Sequence, residues 1–362
     1  MKVATSIVLG NHAAPELAGE AVRQAMQKAG ISVANSVLLL LTSEFASNPQ
    51  PAIKAAAKAA NSLQVIGCSA TGIFTEEDWV LDAPAAAAMV FCEEVSLQAP
   101  GVNHEQQPLL TLSAPNAINS TWLNNGSQRY GGVSGDAIGQ GPFSVWKNAK
   151  GEVSGYVEAF FTGVKMASKA SHGLHLLTPP QQIKQVNQYD VLALDHFEAL
   201  SSLQKAWKSY SKSDDPVPLH LMMATYADDA ASIINGQYQL TTVISHDDDN
   251  GSITLAQPLK AGQYLSWGLR DKDTAAADFT LTTHQVAEAL GAPPDFGLLF
   301  SCLGRGPYFY GGVERDLKVL KQAFPDMPLL GFYGNGEIAT IQGSNHLLPS
   351  SAVLSLFAAK VG

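Results

Sequence analysis

Charge is what this sequence has least of. Only 15% of its 362 residues are Asp, Glu, Lys or Arg, against roughly 25% in an average globular domain. Hydrophobic residues reach 46%, enough for a large core, which excludes a disordered chain. Basic residues are the scarcer sign, 22 Lys+Arg against 32 Asp+Glu, for a net charge of −10. Such a surface repels phosphate backbones, and no basic cluster or basic stripe interleaved with aromatics offsets it, which excludes a nucleic-acid binder. Cysteine is nearly absent. Cys68, Cys92 and Cys302 are odd in number and far apart, which is no disulfide framework. Long apolar runs are also missing: Val37–Leu41 and Ala85–Phe91 have the length of strands and cannot span a bilayer. The opening MKVATSIVLGNHAAPE has neither the apolar stretch nor the cleavage site of a signal peptide. These absences predict a cytoplasmic protein with neither membrane nor nucleic acid as a partner.

What is present is a duplication. Val3–Leu9 alternates like a strand, and Pro15 opens a helix that Gly30 ends, with Leu17, Ala18, Ala21, Val22, Ala25 and Met26 on one face. Strand Val37–Leu41, a helix from Pro51 to Asn61, strand Leu63–Ile66, a GCSATG turn (Gly67–Gly72) and strand Ala85–Phe91 complete the unit. The same order returns at the other end. It runs through strand Gln263–Leu269, a helix ending at Leu290, strand Gly297–Phe300 and the SCLGRG loop (Ser301–Gly306). A second helix stopped by Pro325, a strand at Leu329-Leu330, a GFYGNGE turn (Gly331–Glu337) and strand Ala352–Phe357 follow. Between the copies, residues 130 to 262 hold short β-rich runs and one helix from about Asp195 to Trp207. Asn250-Gly251 marks a hairpin turn there, and Ser211–Asp215 is a polar spacer. Ala99–Asn125 shows no clear period. The predicted class is α/β of mixed α+β type: two similar βαβαββ units at the chain ends, a β-rich middle and mixed sheets.

The Gly-rich loops are the candidates for chemistry. A strand entering a glycine loop before a helix gathers backbone N–H groups that suit an anion. Arg305 in SCLGRG adds a fork for a carboxylate. The loop lacks the Lys-Ser/Thr pair of a P-loop and the spacing of a dinucleotide fingerprint. Glu337, after Tyr333, Asn335 and Gly336, would face Arg305 if the two turns adjoin: Arg305 for a carboxylate, Glu337 for an amine, as in a free amino acid. The alternative is an Arg305–Glu337 ion pair that pins the turns. Cys68 and Cys302, where strands meet Gly-rich turns, are nucleophile candidates or buried structural cysteines. YGGVSGDA (Tyr130–Ala137) is a third glycine loop, with Ser134 and Asp136 as hydrogen-bonding groups. His172 and His175 are spaced for opposite faces of an extended segment. Asp247 and Asp249 lack the acid that an EF-hand needs at its twelfth position, and no metal is expected.

Four segments, VIGCSATGIF (Val65–Phe74), YGGVSGD (Tyr130–Asp136), LLFSCLGRG (Leu298–Gly306) and GFYGNGEI (Gly331–Ile338), resemble the FIST family of bacterial sensory proteins over nearly the whole chain. The resemblance implies a FIST N-like domain over 1–210 and a FIST C-like domain over 211–362. It implies a sensor that binds a small anionic or zwitterionic metabolite, amino acids included, and signals through a separate protein. The motif positions that the resemblance implies are Cys68, Cys302, Arg305, Gly306, Gly331, Gly336 and Glu337, and with the loop residues read above the ligand-binding candidates are Arg305, Glu337, Cys302, Gly304, Gly306, Tyr333, Asn335, Gly336, Cys68, Ser69, Ser134 and Asp136. Relatives that resemble haem-binding nitric-oxide sensors make haem, with His172, His175 or His346 as ligand, the alternative to a cofactor-free protein. A Cys302-dependent enzyme is the third reading. Where relatives carry a His-Asn pair before the closing strand, this chain has Leu348-Pro349, with Asn345-His346 upstream.

Overall fold

The computed structural model describes residues 1–101, 107–136 and 138–360. It is a mixed α+β protein that divides into two compact units. One comprises Met1–Ser171 together with the residues from Phe279 on; the other is His172–Asp278.

The first unit carries three six-stranded sheets. In the first sheet the strand order is Lys2–Leu9, Ala85–Cys92, Ser36–Thr42, Val65–Ala70, Val145–Lys147 and Lys150–Gly151, with the third and fourth strands parallel. A strand covered on both faces needs a continuous apolar run rather than alternation, and SVLLLLT is buried throughout. Val37, Leu39 and Leu41 meet the helices Pro15–Ala29 and Gln50–Ala60, while Leu38 and Leu40 enter a central core. The first helix starts on Pro15 and ends as expected at Gly30, left-handed at φ 64°.

The second sheet repeats this plan: Val164–Ser171, Ala352–Ala359, Phe296–Cys302, Leu329–Gly334, Gly72–Thr75 and Trp79–Leu81. Its outer strand corrects the expected start of the second copy. Val164–Ser171 pairs antiparallel with Ala352–Ala359, as Lys2–Leu9 pairs with Ala85–Cys92. The segment expected there, Gln263–Leu269, lies in strand Tyr264–Arg270 of the other unit. Only the part of the β-rich middle from His172 on, which belongs to the other compact unit, is thus inserted after the outer strand of the second copy. Order along the chain cannot reveal which strands pair, because pairing is settled by what each face buries.

Three segments read as turns are largely strand, GFYGNGE among them, whose Gly331–Gly334 lie in strand Leu329–Gly334. In GCSATG, Thr71 separates Val65–Ala70 from Gly72–Thr75, and both are buried. YGGV belongs to strand Arg129–Val133; Ala137 lies outside the described residues, as do 102–106 of the unassigned stretch. The glycines at these places answer to close backbone packing. A Cβ on Gly67 would lie 1.7 Å from the Leu39 carbonyl oxygen, and one on its repeat counterpart Gly331 would lie 2.0 Å from that of Leu299. We expect Gly331→Ala to destabilise by at least the upper end of the roughly 1–3 kcal/mol that overpacking costs. A denaturation midpoint equal to wild type would contradict this.

Arg129–Val133 belongs to the third sheet, with order Ser344–Leu348, Glu337–Ile341, Arg129–Val133, Leu109–Ser113, Tyr156–Thr162 and Ser96–Gln98. All three sheets feed one apolar core, among them Leu38 and Phe91, Phe296, Phe300 and Phe332, and Leu110 and Phe161. The outer face of the second sheet is covered by helix Arg315–Ala323 and by the part of helix Lys272–Leu290 from Phe279 on.

In the second unit, Tyr264–Arg270, Gln181–Asn187, Asp190–Leu194, Ser252–Leu255, Gln239–Asp247 and Met222–Ala227 pair in that order. The last pairs back on the first, closing a ring. Helix Ala199–Ser211 buries Leu200, Leu203 and Ala206 in the same cluster as Trp267, whose indole N–H donates to Ser202 Oγ. The helix starts later than expected because Asp195 turns the chain at φ 48°. The division at 210/211 that the family resemblance implies falls at the end of this helix, whereas compactness divides the chain at Ser171/His172 and Asp278/Phe279.

Candidate ligand site at the second-copy strand ends

The Phe296–Cys302 strand runs into a tight helical turn, Leu303–Arg305. Arg305 does not project into open space: it is 2% exposed. Its Nε donates to Asp316 Oδ2 at 2.9 Å, and its two terminal nitrogens donate to the carbonyl oxygen and the hydroxyl of Ser171 at 2.9 Å each. The guanidinium also lies over the Phe279 ring. Asp316, 1% exposed, accepts from Tyr310 through its other oxygen at 2.8 Å. Glu314 caps helix Arg315–Ala323 by accepting from the N–H groups of Asp316 and Leu317, and it accepts the Tyr333 hydroxyl at 2.7 Å. Tyr333 packs on Gly306, where a Cβ would sit 3.0 Å from the ring.

Glu337 begins the neighbouring strand of the third sheet and is fully buried. One carboxyl oxygen accepts the Ser351 N–H at 3.2 Å; the other, Oε1, is buried without a hydrogen-bond partner. The carboxylate that Arg305 grips is therefore Asp316 rather than Glu337, although the Arg305 charge still acts on Glu337.

Electrostatics follow from burial. Desolvation raises Glu337 well above the usual carboxylate range, against the lowering effect of the Ser351 N–H and of Arg305. Glu314 is pushed up to about 7 by burial and by the adjacent Asp316 charge. Tyr333 and Tyr310 are raised, chiefly by burial. Of the members of this cluster, Asp316, Tyr310, Glu314 and Ser171 were not among the sequence candidates. They lie outside the glycine motifs, and the run Tyr310-Gly-Gly-Val-Glu-Arg-Asp was the only trace of three of them.

The remaining candidates divide. Cys302, Gly304, Gly306 and Tyr333 line the strand end that holds Arg305. Ser69 and Ser134 hydrogen-bond each other at 3.1 Å, and Ser69 Oγ accepts the Ser144 N–H. Asn335 meets them through Gly135: a Cβ there would lie 2.7 Å from Thr71 Oγ1 and 3.1 Å from Asn335 Oδ1. Asp136 accepts the N–H groups of Gly139 and Gly141, and Gly336 carries the next turn at φ 143°. Cys68 points into the apolar core, where burial raises its thiol pKa; it occupies the repeat position of Phe332, not of Cys302.

Asn345 is satisfied internally. Its Nδ2 donates to Leu123 and Ser127 carbonyls, and its Oδ1 accepts the Arg129 N–H and the Thr340 hydroxyl. His346 is half-buried, which lowers its pKa; His172 packs on Tyr238 and His175 on Tyr210. Nothing in this arrangement selects one imidazole as an axial ligand for haem. Among the described residues no group of three or more His, Cys, Asp or Glu is placed to hold a metal ion, and no helix is long and apolar enough to cross a membrane.

A duplicated, helix-covered sheet whose strand ends bury an ionisable cluster defines a mixed α+β protein with a candidate small-molecule site. Residues 198–340 match the model of the FIST C domain. An uncharacterized protein of Mycobacterium tuberculosis is 30% identical over 122 residues, covering 34% of this chain and 32% of that protein. An uncharacterized protein of Mycobacterium bovis is 24% identical over 234 residues, covering 64% and 61%. Human F-box only protein 22 is 49% identical over 45 residues, 12% of this chain and 11% of that one. The chain therefore spans less than two thirds of the length of each of these relatives.

Proposed function

We propose that this chain is a sensory protein that binds a small anionic or zwitterionic metabolite, an amino acid first among them, and signals through a separate protein. The observation that carries the reading is Glu337, a fully buried carboxyl with one oxygen unpartnered, next to the charge of Arg305. Leaving a buried polar atom unpaired costs about 1–3 kcal/mol, a cost more often retained for a task than for stability. A ligand ammonium delivered to Oε1 would satisfy it and return the carboxyl to its charged form. Arg305, held by Asp316 and Ser171, supplies fixed positive charge. Cys302, Gly304, Gly306, Tyr333, Asn335 and Gly336 form the surrounding strand ends, and Ser69, Ser134 and Asp136 serve the adjoining turn.

The test is a thermal-shift panel of amino acids, organic acids, nucleotides and haem on wild type and Glu337→Gln, a substitution that keeps the shape of the protonated acid. A ligand at 100 times its Kd stabilises by about 2.7 kcal/mol, several degrees in midpoint. We expect an amino-acid shift that Glu337→Gln abolishes, with a proton released on binding. An amino-acid shift unchanged in the variant, or none with any compound, would overturn the reading. A shift with haem alone would replace it by the gas-sensor alternative.

A further inference from the structure

The polar spacer Ser211–Asp215 is not slack chain. It folds back along helix Ala199–Ser211, and with the residues that follow it forms one wall of a cleft of about 350 Å³ inside the His172–Asp278 unit. The helix supplies the other wall with Leu200, Gln204, Trp207 and Lys208, which share one face at helical spacing. The spacer is pinned to that helix. The Trp207 indole N–H donates to the Asp215 carbonyl at 3.0 Å, Lys208 pairs with Asp214 at 2.6 Å, and the Asp215 N–H donates to Ser213 Oγ at 3.1 Å. Pro216 and Pro218 then fix φ in the segment that continues it. The floor is apolar: Leu200 belongs to the core of the unit, and Trp207, Val217 and Leu219 pack on that core while partly exposed. At the rim, Lys208 is matched by Asp214, and His246 lies 3.6 Å from Asp248. Asp215 is the carboxylate left over. Among the described residues its side chain meets the Ser213 hydroxyl, at 2.7 Å, and no cation.

We propose that this cleft is a second ligand site, for an organic cation with a compact apolar body, an arylalkyl ammonium being the simplest. The body lies on Leu200, Trp207, Val217 and Leu219, and the ammonium on Asp215. Three observations converge. The pinned spacer makes the cleft preformed, its size and apolar floor are those of a small-molecule site, and the unmatched carboxylate sets the sign of the charge it selects. The inference stands apart from the Arg305–Glu337 reading, because the cleft lies wholly within the other compact unit.

The test is calorimetric titration of the whole chain with phenethylammonium and, as its neutral counterpart, phenethyl alcohol. We expect the ammonium to bind about three- to fivefold more tightly, which is what an exposed ion pair supplies. In Asp215→Asn that preference should vanish while the alcohol binds as before, and Trp207→Leu should weaken both compounds alike. Gln204→Lys, at an exposed position of the helix wall, sets a cation in the cleft and should reverse the preference; it serves also if Asp215→Asn fails to fold, which the melting midpoint reads. Equal affinity of wild type for the two compounds, or binding of neither, overturns the proposal. So does a preference that survives Asp215→Asn or Gln204→Lys in the folded protein, or binding that Trp207→Leu leaves unchanged.

Discussion

Asp316→Ala should lose about 3–5 kcal/mol of unfolding free energy, the range for removing one partner of a buried ion pair. Asp316 is 1% exposed and Arg305 2%, so neither charge has water to fall back on. Asp316 serves Arg305 Nε and the Tyr310 hydroxyl at once, and its removal takes the carboxylate partner from the Arg305 Nε. Replacing both partners, as in Arg305→Met/Asp316→Leu, should recover much of the loss, because an apolar pair of similar volume carries no desolvation cost. Urea unfolding of the three proteins measures this, and a loss below about 1 kcal/mol in Asp316→Ala would show that the pair is not the buried unit described. The same reasoning bears on ligand assays: Arg305→Ala will lose binding through unfolding alone, which is why Glu337→Gln is the informative variant.

Stability should fall as pH rises through the range of the buried acids. Glu314 is pushed up to about 7 from its ordinary 4.5, and Glu337 is raised in the same direction by burial. Between the ordinary and the raised value, the unfolded chain has released the proton that the folded chain keeps. The unfolded state then binds fewer protons, and unfolding free energy declines by about 1.4 kcal/mol per pH unit for each such group. For Glu314 this gives a loss of about 3 kcal/mol between pH 4.5 and 7, fully absent below 4.5. Glu337, raised in the same direction, adds a loss of the same sign. Glu337→Gln removes one of the two slopes. Relative to wild type it should gain stability from pH 5 to pH 8, read from urea midpoints at both. A difference between the two proteins that is the same at pH 5 and pH 8 would show that Glu337 is not held protonated. Carboxylates displaced downward, such as Glu20 and Glu152, act in the opposite sense but cancel in the comparison with wild type.

Much of this architecture was legible because local signals and burial agree. Pro15 and Gly30 bracket a helix whose apolar face is the one buried. Val37–Leu41 reads as a strand and lies within strand Ser36–Thr42, buried throughout. The glycine motifs were found for the right reason only in part. At Gly67 and Gly331 the need is close approach to a neighbouring carbonyl, which a sequence cannot distinguish from the need of a turn. The site was half legible: Arg305 and Glu337 stand in motifs, whereas Asp316, Glu314 and Tyr310 come from a helix start with an ordinary sequence.

What the sequence determined by itself is therefore what depends on near neighbours: the limits of the first helix, much of the repeated order of elements and the mixed α+β class. What only the tertiary structure decided depends on partners distant along the chain. The second copy takes Val164–Ser171 as its outer strand across an insertion of a whole unit. Arg305 pairs with Asp316 and Ser171, the latter 134 residues away, rather than with Glu337. The physical reason is common to both. Strand pairing and buried ion pairing are settled by which surfaces can be desolvated together, and that is a property of the packed chain rather than of any segment of it.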